Sequence, residues 1–271
     1  MLGKKNGQKE NKVVEGLSEL GGTAIGAAVG TGIGLVVAGP GGAALGAIAG
    51  GVVEKVFEWA GTEISERLLS KKESQRVKSV LELAKEKVEK NLSSGRAIRD
   101  DDFFDEDIDG RSSAEEILEG VLLTSQKEYE ERKLVYLANL YSNIAFDKSI
   151  SRQIANQLIK IAAELTYRQL VILKVIGFFQ TSPIAPIRKK SAFKEISGLS
   201  NVSIASDIYA LYQRSLLFSS EAILNAAGIN PSTLSIGGYG ALLYNLMGIA
   251  DIPFDEMTCE IIDFLAEKNR V

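Results

Sequence analysis

The stretch Leu20–Val53, LGGTAIGAAVGTGIGLVVAGPGGAALGAIAGGVV, contains 34 residues without a single charge. Within it, glycines recur at every fourth position in two rows, separated by the turn sequence Gly39-Pro40-Gly41. A glycine costs a helix in water about 1 kcal/mol relative to alanine, whereas small residues four apart let helices pack closely. The pattern therefore predicts a glycine-zipper helical hairpin over residues 17–60. Its packing residues are Gly22, Gly26, Gly30, Gly34, Gly42, Gly46 and Gly50.

Neither leg of this hairpin is a strong transmembrane span. The first leg, Leu20–Ala38, only just reaches the roughly 20 residues that a span needs, and its apolar side chains contribute about −2 to −4 kcal/mol to insertion. The second leg has about a dozen uncharged residues before Glu54, and each charge beyond it costs roughly 2.5–3.5 kcal/mol at the bilayer centre. We therefore expect conditional, oligomer-dependent insertion rather than a permanent anchor.

The second glycine row continues at the same four-residue step to Glu54 and Glu58. These carboxylates cannot face lipid, so the pattern predicts that they face a partner helix or an aqueous lumen. Trp59 suits an interface anchor and equally a core position. The alternative for the whole segment is a buried, tightly packed hairpin of a soluble protein.

Composition narrows the class of protein. The net charge of −4 and pI near 5.2 disfavour a general nucleic-acid binder, because such proteins neutralise phosphates. Cys259 is the only cysteine, which indicates a reducing compartment and a cytoplasmic protein. The chain has no histidine, so serine or cysteine triads and nearly all zinc sites are excluded, and we do not expect an enzyme. A secretory signal is not expected either, because Glu10 and Glu15 precede an apolar run that is too long.

The periodicity of apolar residues predicts an all-α chain. We expect a polar tail (1–16), the hairpin (17–60), a helical domain (61–182) that includes an acidic loop (96–112), and a winged-helix-like C-terminal unit (183–271). The predicted helices after the hairpin are 54–93 with a break near 70–74, 113–144, 150–164, one that begins at Thr166, 191–199, 203–217, 239–248 and 255–268.

The acidic loop matches the spacing of a calcium-binding loop. Asp105, Asp107, Asp109 and Glu116 occupy ligand positions, and Gly110 stands at the turn. Ser112 takes the place of the usual hydrophobic residue, and no second loop exists to pair with this one. The alternative is a surface loop in which Ser113 and Glu116 form a capping box. Apart from this possible calcium ion, no cofactor is expected, although an enzyme acting through Asp105 or Asp107 is a further alternative.

A basic cluster, Arg188 to Lys190 with Lys194, lies at the start of the C-terminal unit. It suits contact with phosphate, nucleic acid or anionic lipid, or else a solvated linker. The helix predicted at 203–217 carries only Asp207 and Arg214 as charges, whereas a DNA-reading helix uses several Arg, Lys, Asn or Gln side chains. Sensing of a protein or a small molecule is therefore favoured.

The segment LANLYSN (137–143), the helix 150–164 and the segment LTYRQL (165–170) follow one another in the chain. Over about 130–180 this order resembles the helical core of bacterial abortive-infection alpha-type proteins, and the hairpin resembles glycine-zipper segments of bacterial membrane-active proteins. These resemblances imply a prokaryotic anti-phage effector that damages the membrane of its own cell.

Together these observations predict a cytoplasmic protein that associates conditionally with the inner membrane. On a cue sensed by its C-terminal unit, it would form a homo-oligomer, insert its hairpin into the lipid bilayer and permeabilise it. The rival hypothesis is a soluble sensor or adaptor that uses the hairpin as an oligomerisation core.

Overall fold

The computed structural model describes residues 42–108 and 110–267, with side chains from residue 50 onward. These residues form nine α-helices and one two-stranded antiparallel sheet. The mostly helical class is thus confirmed for the described residues, whereas the first leg of the hairpin lies outside them. The chain divides into two compact units between Lys127 and Glu128. The predicted boundary at residue 183 lies inside the second unit.

The first unit contains three helices. Helix α1 is Gly42–Glu66, α2 is Lys71–Ser93 and α3 is Ser113–Lys127, with a short 3-10 turn at Asp102–Phe104. The predicted break between the first two helices is confirmed. It occurs because Ser70 caps α2 and forms a reciprocal capping box with Glu73, which satisfies amides that have no partner inside the helix.

The core of the first unit is a set of small and branched side chains at three- and four-residue steps, where the three helices pack on one another. The buried residues of α2 and α3 are Val77, Val80, Ala84, Val88, Ala114, Ile117, Leu118, Val121 and Leu122.

The second unit is built around one almost completely buried helix. This helix, α6, spans Tyr167–Thr181, and residues 167–177 in it are buried with the single exception of Arg168. A helix that is apolar on all sides belongs inside a core. The other elements are α4 (Leu134–Ile144), α5 (Arg152–Glu164), α7 (Leu199–Gln213), β1 (Leu217–Ser219), β2 (Leu234–Ile236), α8 (Gly238–Leu246) and α9 (Glu256–Leu265).

Two predicted helices differ from the structure. The helix expected over 113–144 is interrupted after Lys127, where the buried side chains of Glu128 and Lys133 form an ion pair inside a turn. The helix expected over 191–199 is absent. There the backbone amides of Phe193 and Lys194 donate to carbonyls of Ile229 and Ala227, so contact with a distant segment replaces helical hydrogen bonds. The next helix, predicted at 203–217, begins instead at Leu199.

The glycines after β2 allow a close approach of two backbones. Strands β1 and β2 pair antiparallel, with Leu217 opposite Ile236, and α8 begins directly after β2. A Cβ atom at Gly240 would lie only 2.0 Å from the carbonyl oxygen of Leu216. Glycine is therefore required at residue 240 for α8 to pack against the chain entering β1.

Candidate functional site

The second glycine row lies on helix α1. Gly42, Gly46 and Gly50 all fall within Gly42–Glu66, and Gly50 is buried. The first row, Gly22, Gly26, Gly30 and Gly34, lies outside the described residues. The part of the predicted site that the structure describes is therefore this helix and the residues that pack on it.

One face of α1 is buried in the first unit from Gly50 onward. Its buried side chains follow steps of three and four residues along the helix, as expected for a single packed face. They are Val53, Val56, Phe57, Ala60 and Ile64.

The two carboxylates on the glycine row lie progressively farther from this buried face. Glu54 is half-buried and Glu58 is exposed. Because an α-helix has 3.6 residues per turn, each four-residue step rotates the position by about 40° around the helix axis. A row that is buried at Gly50 has therefore rotated by about 80° when it reaches Glu58. The glycine row and the carboxylates thus form a spiral rather than one straight stripe.

None of the helices within residues 42–108 and 110–267 is both long enough and apolar enough to cross a membrane.

Trp59 is half-buried and lies beside a network of charges. The guanidinium carbon of Arg111 is 5.4 Å from the centroid of the Trp59 rings. Nη2 of Arg111 lies 2.5 Å from one carboxylate oxygen of Glu119, and Nη2 of Arg67 lies 2.5 Å from the other. Arg67 also pairs with Glu63. We call these residues, Trp59, Glu63, Arg67, Arg111 and Glu119, the Glu119 network.

The acidic loop makes a local turn. Residues Glu106 and Ser112 form an isolated antiparallel bridge, and the amide of Gly110 donates to the carbonyl of Asp107. The capping box forms at Ser112 and Glu115, whose side chains each accept the other's backbone amide at 3.2 and 2.9 Å. The prediction of Ser113 and Glu116 was therefore wrong by one residue.

The predicted calcium ligands do not form a cluster among the described residues. No group of three or more acidic, cysteine or histidine side chains in the described ranges has the arrangement of a metal site. Glu116 lies within α3, whereas Asp105 and Asp107 lie in the loop before it, and Asp109 is outside the described residues. The calcium hypothesis has no support from the described ligands.

The basic cluster is partly structural. Arg188 donates to the carbonyl of Leu234 at 2.7 Å, and burial lowers the pKa of its guanidinium. The Lys189 ammonium donates to the carbonyl of Phe264 at 2.6 Å. Lys190 and Lys194 are exposed. Two of the four cations therefore bind the protein's own backbone.

The one charged residue of α7, Asp207, is also used within the unit. Asp207 accepts from Arg168 Nε at 2.6 Å and from Gln169 Nε2 at 3.0 Å. The exposed residues of α7 are all uncharged. They are Leu199, Ser200, Val202, Ser206 and Gln213.

Three polar side chains of the second unit, two of them buried and Asn143 half-buried, were not predicted as functional or structural residues from the sequence. Asn139 and Asn143 of α4 donate to the carbonyls of Met247 and Leu246 at 2.7 and 2.8 Å, which the end of α8 leaves without helical partners. Lys174 of α6 donates to the carbonyl of Ala250 at 2.6 Å. The available signals were a lysine within the apolar run 170–179 and two asparagines four residues apart on an apolar helix.

Comparison with known proteins finds no relative: no protein-family model, no curated protein and no solved structure matches this chain.

Proposed function

We propose that the protein is a membrane-active effector that oligomerises and permeabilises the inner membrane through its hairpin, residues 17–60. The observation that carries this proposal is the helical state of the second glycine row. A glycine zipper needs its glycines on a helix, so that the missing side chains align along a face. Helix α1 places Gly42, Gly46 and Gly50 in this way, although three glycines disfavour a helix in water.

Charge limits how far α1 can enter a bilayer. The uncharged stretch ends at Val53, and Glu54, Lys55 and Glu58 follow within one and a half turns. At roughly 2.5–3.5 kcal/mol for each charge at the bilayer centre, this half of α1 stays at the interface or in water. The inserted part therefore consists of residues before Glu54, and several copies are needed to cover their glycine faces.

The C-terminal residues 183–271 act in this proposal as a winged-helix-like sensor of the cue. Helix α7 followed by the β1–β2 hairpin supports a winged-helix-like order. The uncharged exposed face of α7 supports recognition of a protein or a small molecule rather than nucleic acid, because phosphate binding needs cations. Before the cue, the protein is cytoplasmic. It joins the inner membrane only after the cue. The setting is anti-phage defence or toxicity to the producing cell.

Leakage of a dye from vesicles of bacterial lipid tests the proposal. We expect the full chain to release dye, and Gly46→Leu and Gly26→Leu to release much less, because leucine separates the helices at the zipper. The matched control is Gly51→Leu. This residue lies on the same helix but off the row, it is exposed, and a Cβ atom there would meet nothing within 4 Å.

Equal leakage from Gly46→Leu and Gly51→Leu would contradict the zipper. A second arm compares the full chain with a deletion of residues 17–60 by membrane fractionation and by growth on overexpression. If the full chain stays soluble and harmless, the rival sensor or adaptor function replaces this proposal.

A further inference from the structure

A single carboxylate joins three parts of the first unit. Glu119 projects from α3, and its two oxygens each pair with an arginine from outside that helix. Arg67 directly follows the last residue of α1, and Arg111 lies in the loop before α3. Glu119 therefore connects the C-terminal end of α1 to α3 and to the acidic loop.

The network depends on the charge of Glu119. Burial would raise the pKa of this carboxyl, but the hydrogen bonds from Arg111 and Arg67 hold it below its ordinary value. The group is therefore ionised at neutral pH. Without it, two guanidinium groups would face the same space with no shared counter-charge, and like charges at that separation repel each other.

The network also covers Trp59. Arg111 lies over this indole, and its Nε is buried with no hydrogen-bond partner among the described residues. Because Arg111 is itself held by Glu119, the position of Trp59 within the first unit depends indirectly on the same carboxylate.

The buried face of α1 and the uncharged stretch share residues 50–53. Gly50 and Val53 are both buried, and the uncharged stretch ends at Val53. Residues beyond this point are held by the packed face and, at its far end, by the Glu119 network. Helix α1 thus runs without interruption from Gly42, in the second leg of the hairpin, to an end that the Glu119 network fixes.

We propose that the Glu119 network restrains α1 in the resting protein and that its opening is the step that frees the hairpin. This inference rests on the proposed function for its biological purpose, but the restraint itself is a property of the first unit. Helix α1 separates from α2 and α3 only when the ion pairs at Glu119 are broken, since they close the end of the packed face opposite the glycine row.

Hydrogen exchange of the full chain without lipid tests the restraint directly. In Glu119→Gln the amides of residues 53–66 are expected to exchange roughly ten- to a hundredfold faster than in the wild type, which corresponds to losing charge-assisted hydrogen bonds. Arg67→Gln removes one of the two ion pairs of Glu119 together with the pair between Arg67 and Glu63, and is expected to act in the same direction. The matched control is Glu82→Gln, which removes one negative charge from the exposed face of α2.

Two results would overturn the restraint. One is the same exchange rate at residues 53–66 in Glu119→Gln and in Glu82→Gln. The other is uniform acceleration over 71–93 and 113–127 as well, because the substitution would then loosen the whole unit rather than release α1.

Vesicle leakage by the same variants separates this inference from the proposed function. With both correct, Glu119→Gln releases dye at a lower protein concentration than the wild type and Glu82→Gln does not. Faster exchange with no leakage from any variant leaves the restraint standing and rejects the membrane function. Leakage that is unchanged in Glu119→Gln but reduced in Gly46→Leu supports the proposed function and rejects the restraint.

Discussion

The ammonium group of Lys174 lies 2.6 Å from the backbone carbonyl oxygen of Ala250 and 4.5 Å from the centroid of the Phe254 ring. Only 6% of Lys174 is exposed. Burial lowers the pKa of this amine below 10.5, and the nearby charge of Asp251 opposes that effect only in part. The core of the second unit thus contains a cation that is held by a carbonyl dipole and an aromatic face.

This burial predicts a pH dependence of stability. Between its lowered pKa in the folded state and 10.5 in the unfolded state, the unfolded chain binds the proton more tightly, so stability from this group rises with pH. Relative to Lys174→Met, the wild type should therefore gain stability as the pH rises from the lowered folded-state pKa toward 10.5. Urea unfolding followed by far-ultraviolet circular dichroism measures the difference, with exposed Lys160→Met as the control. A difference that stays constant with pH would show that the group is not buried as described.

A second prediction concerns Gly240. Because alanine there would place its Cβ atom 2.0 Å from the carbonyl oxygen of Leu216, either α8 or β1 must move, and overpacking of this kind costs about 1–3 kcal/mol or more. The control, Gly61→Ala, adds a methyl group to a helix where nothing lies within 4 Å, and should stabilise the first unit by about 0.5–1 kcal/mol.

All eight tyrosines lie in the second unit and the only tryptophan in the first. Tyrosine fluorescence during urea unfolding therefore reports on the second unit and tryptophan fluorescence on the first, and equal effects of the two substitutions would refute the close approach.

Local side-chain pairs mark three of the helix starts that the sequence predicts. Ser70 and Glu73, Thr166 and Gln169, and Asp255 and Thr258 form capping boxes where the sequence places helix starts. Such pairs act within four residues, so no tertiary information is needed to find them. The shift from Ser113 to Ser112 marks the limit, since both serines satisfy the same local pattern.

What the sequence could not predict depends on distant partners. Residues 191–198 fail to form a helix because Phe193 and Lys194 bind the segment 227–229. The roles of Asn139 and Asn143 follow from the position of α8, more than a hundred residues away. The Glu119 network likewise joins Arg67 to a carboxylate 52 residues later. The four-residue spacing of the glycines is visible in the sequence. Which of these glycines face the core could not be predicted from it.

Acid should weaken the start of α2 through one carboxylate. The side chain and backbone amide of Ser70 and the amide of Gln126 hydrogen-bond to Glu73 and lower its pKa from 4.5 to about 2. Since the folded-state pKa is depressed, this stabilisation is present above pH 4.5 and is lost as the pH falls toward 2. Glu73→Gln should therefore lose less stability than the wild type between about pH 5 and about pH 2.5. Trp59 fluorescence during urea unfolding measures the change, Glu82→Gln is the control, and an unaltered acid dependence would refute the capping role.

Two asparagine side chains of α4 bind the carbonyls at the end of α8. Asn139 is 3% exposed and donates to the carbonyl of Met247, while its own carbonyl oxygen is buried with no hydrogen-bond partner among the described residues. Asn139→Ala should destabilise the second unit by about 1–3 kcal/mol, because the Met247 carbonyl loses its donor inside the core. Asn143→Ala should cost less, since the bond from Asn143 to Leu246 is only partly buried and water can replace the lost donor. The reverse order of the two costs, measured by tyrosine fluorescence in urea, would mean that Asn139 is not the main link between α4 and the end of α8.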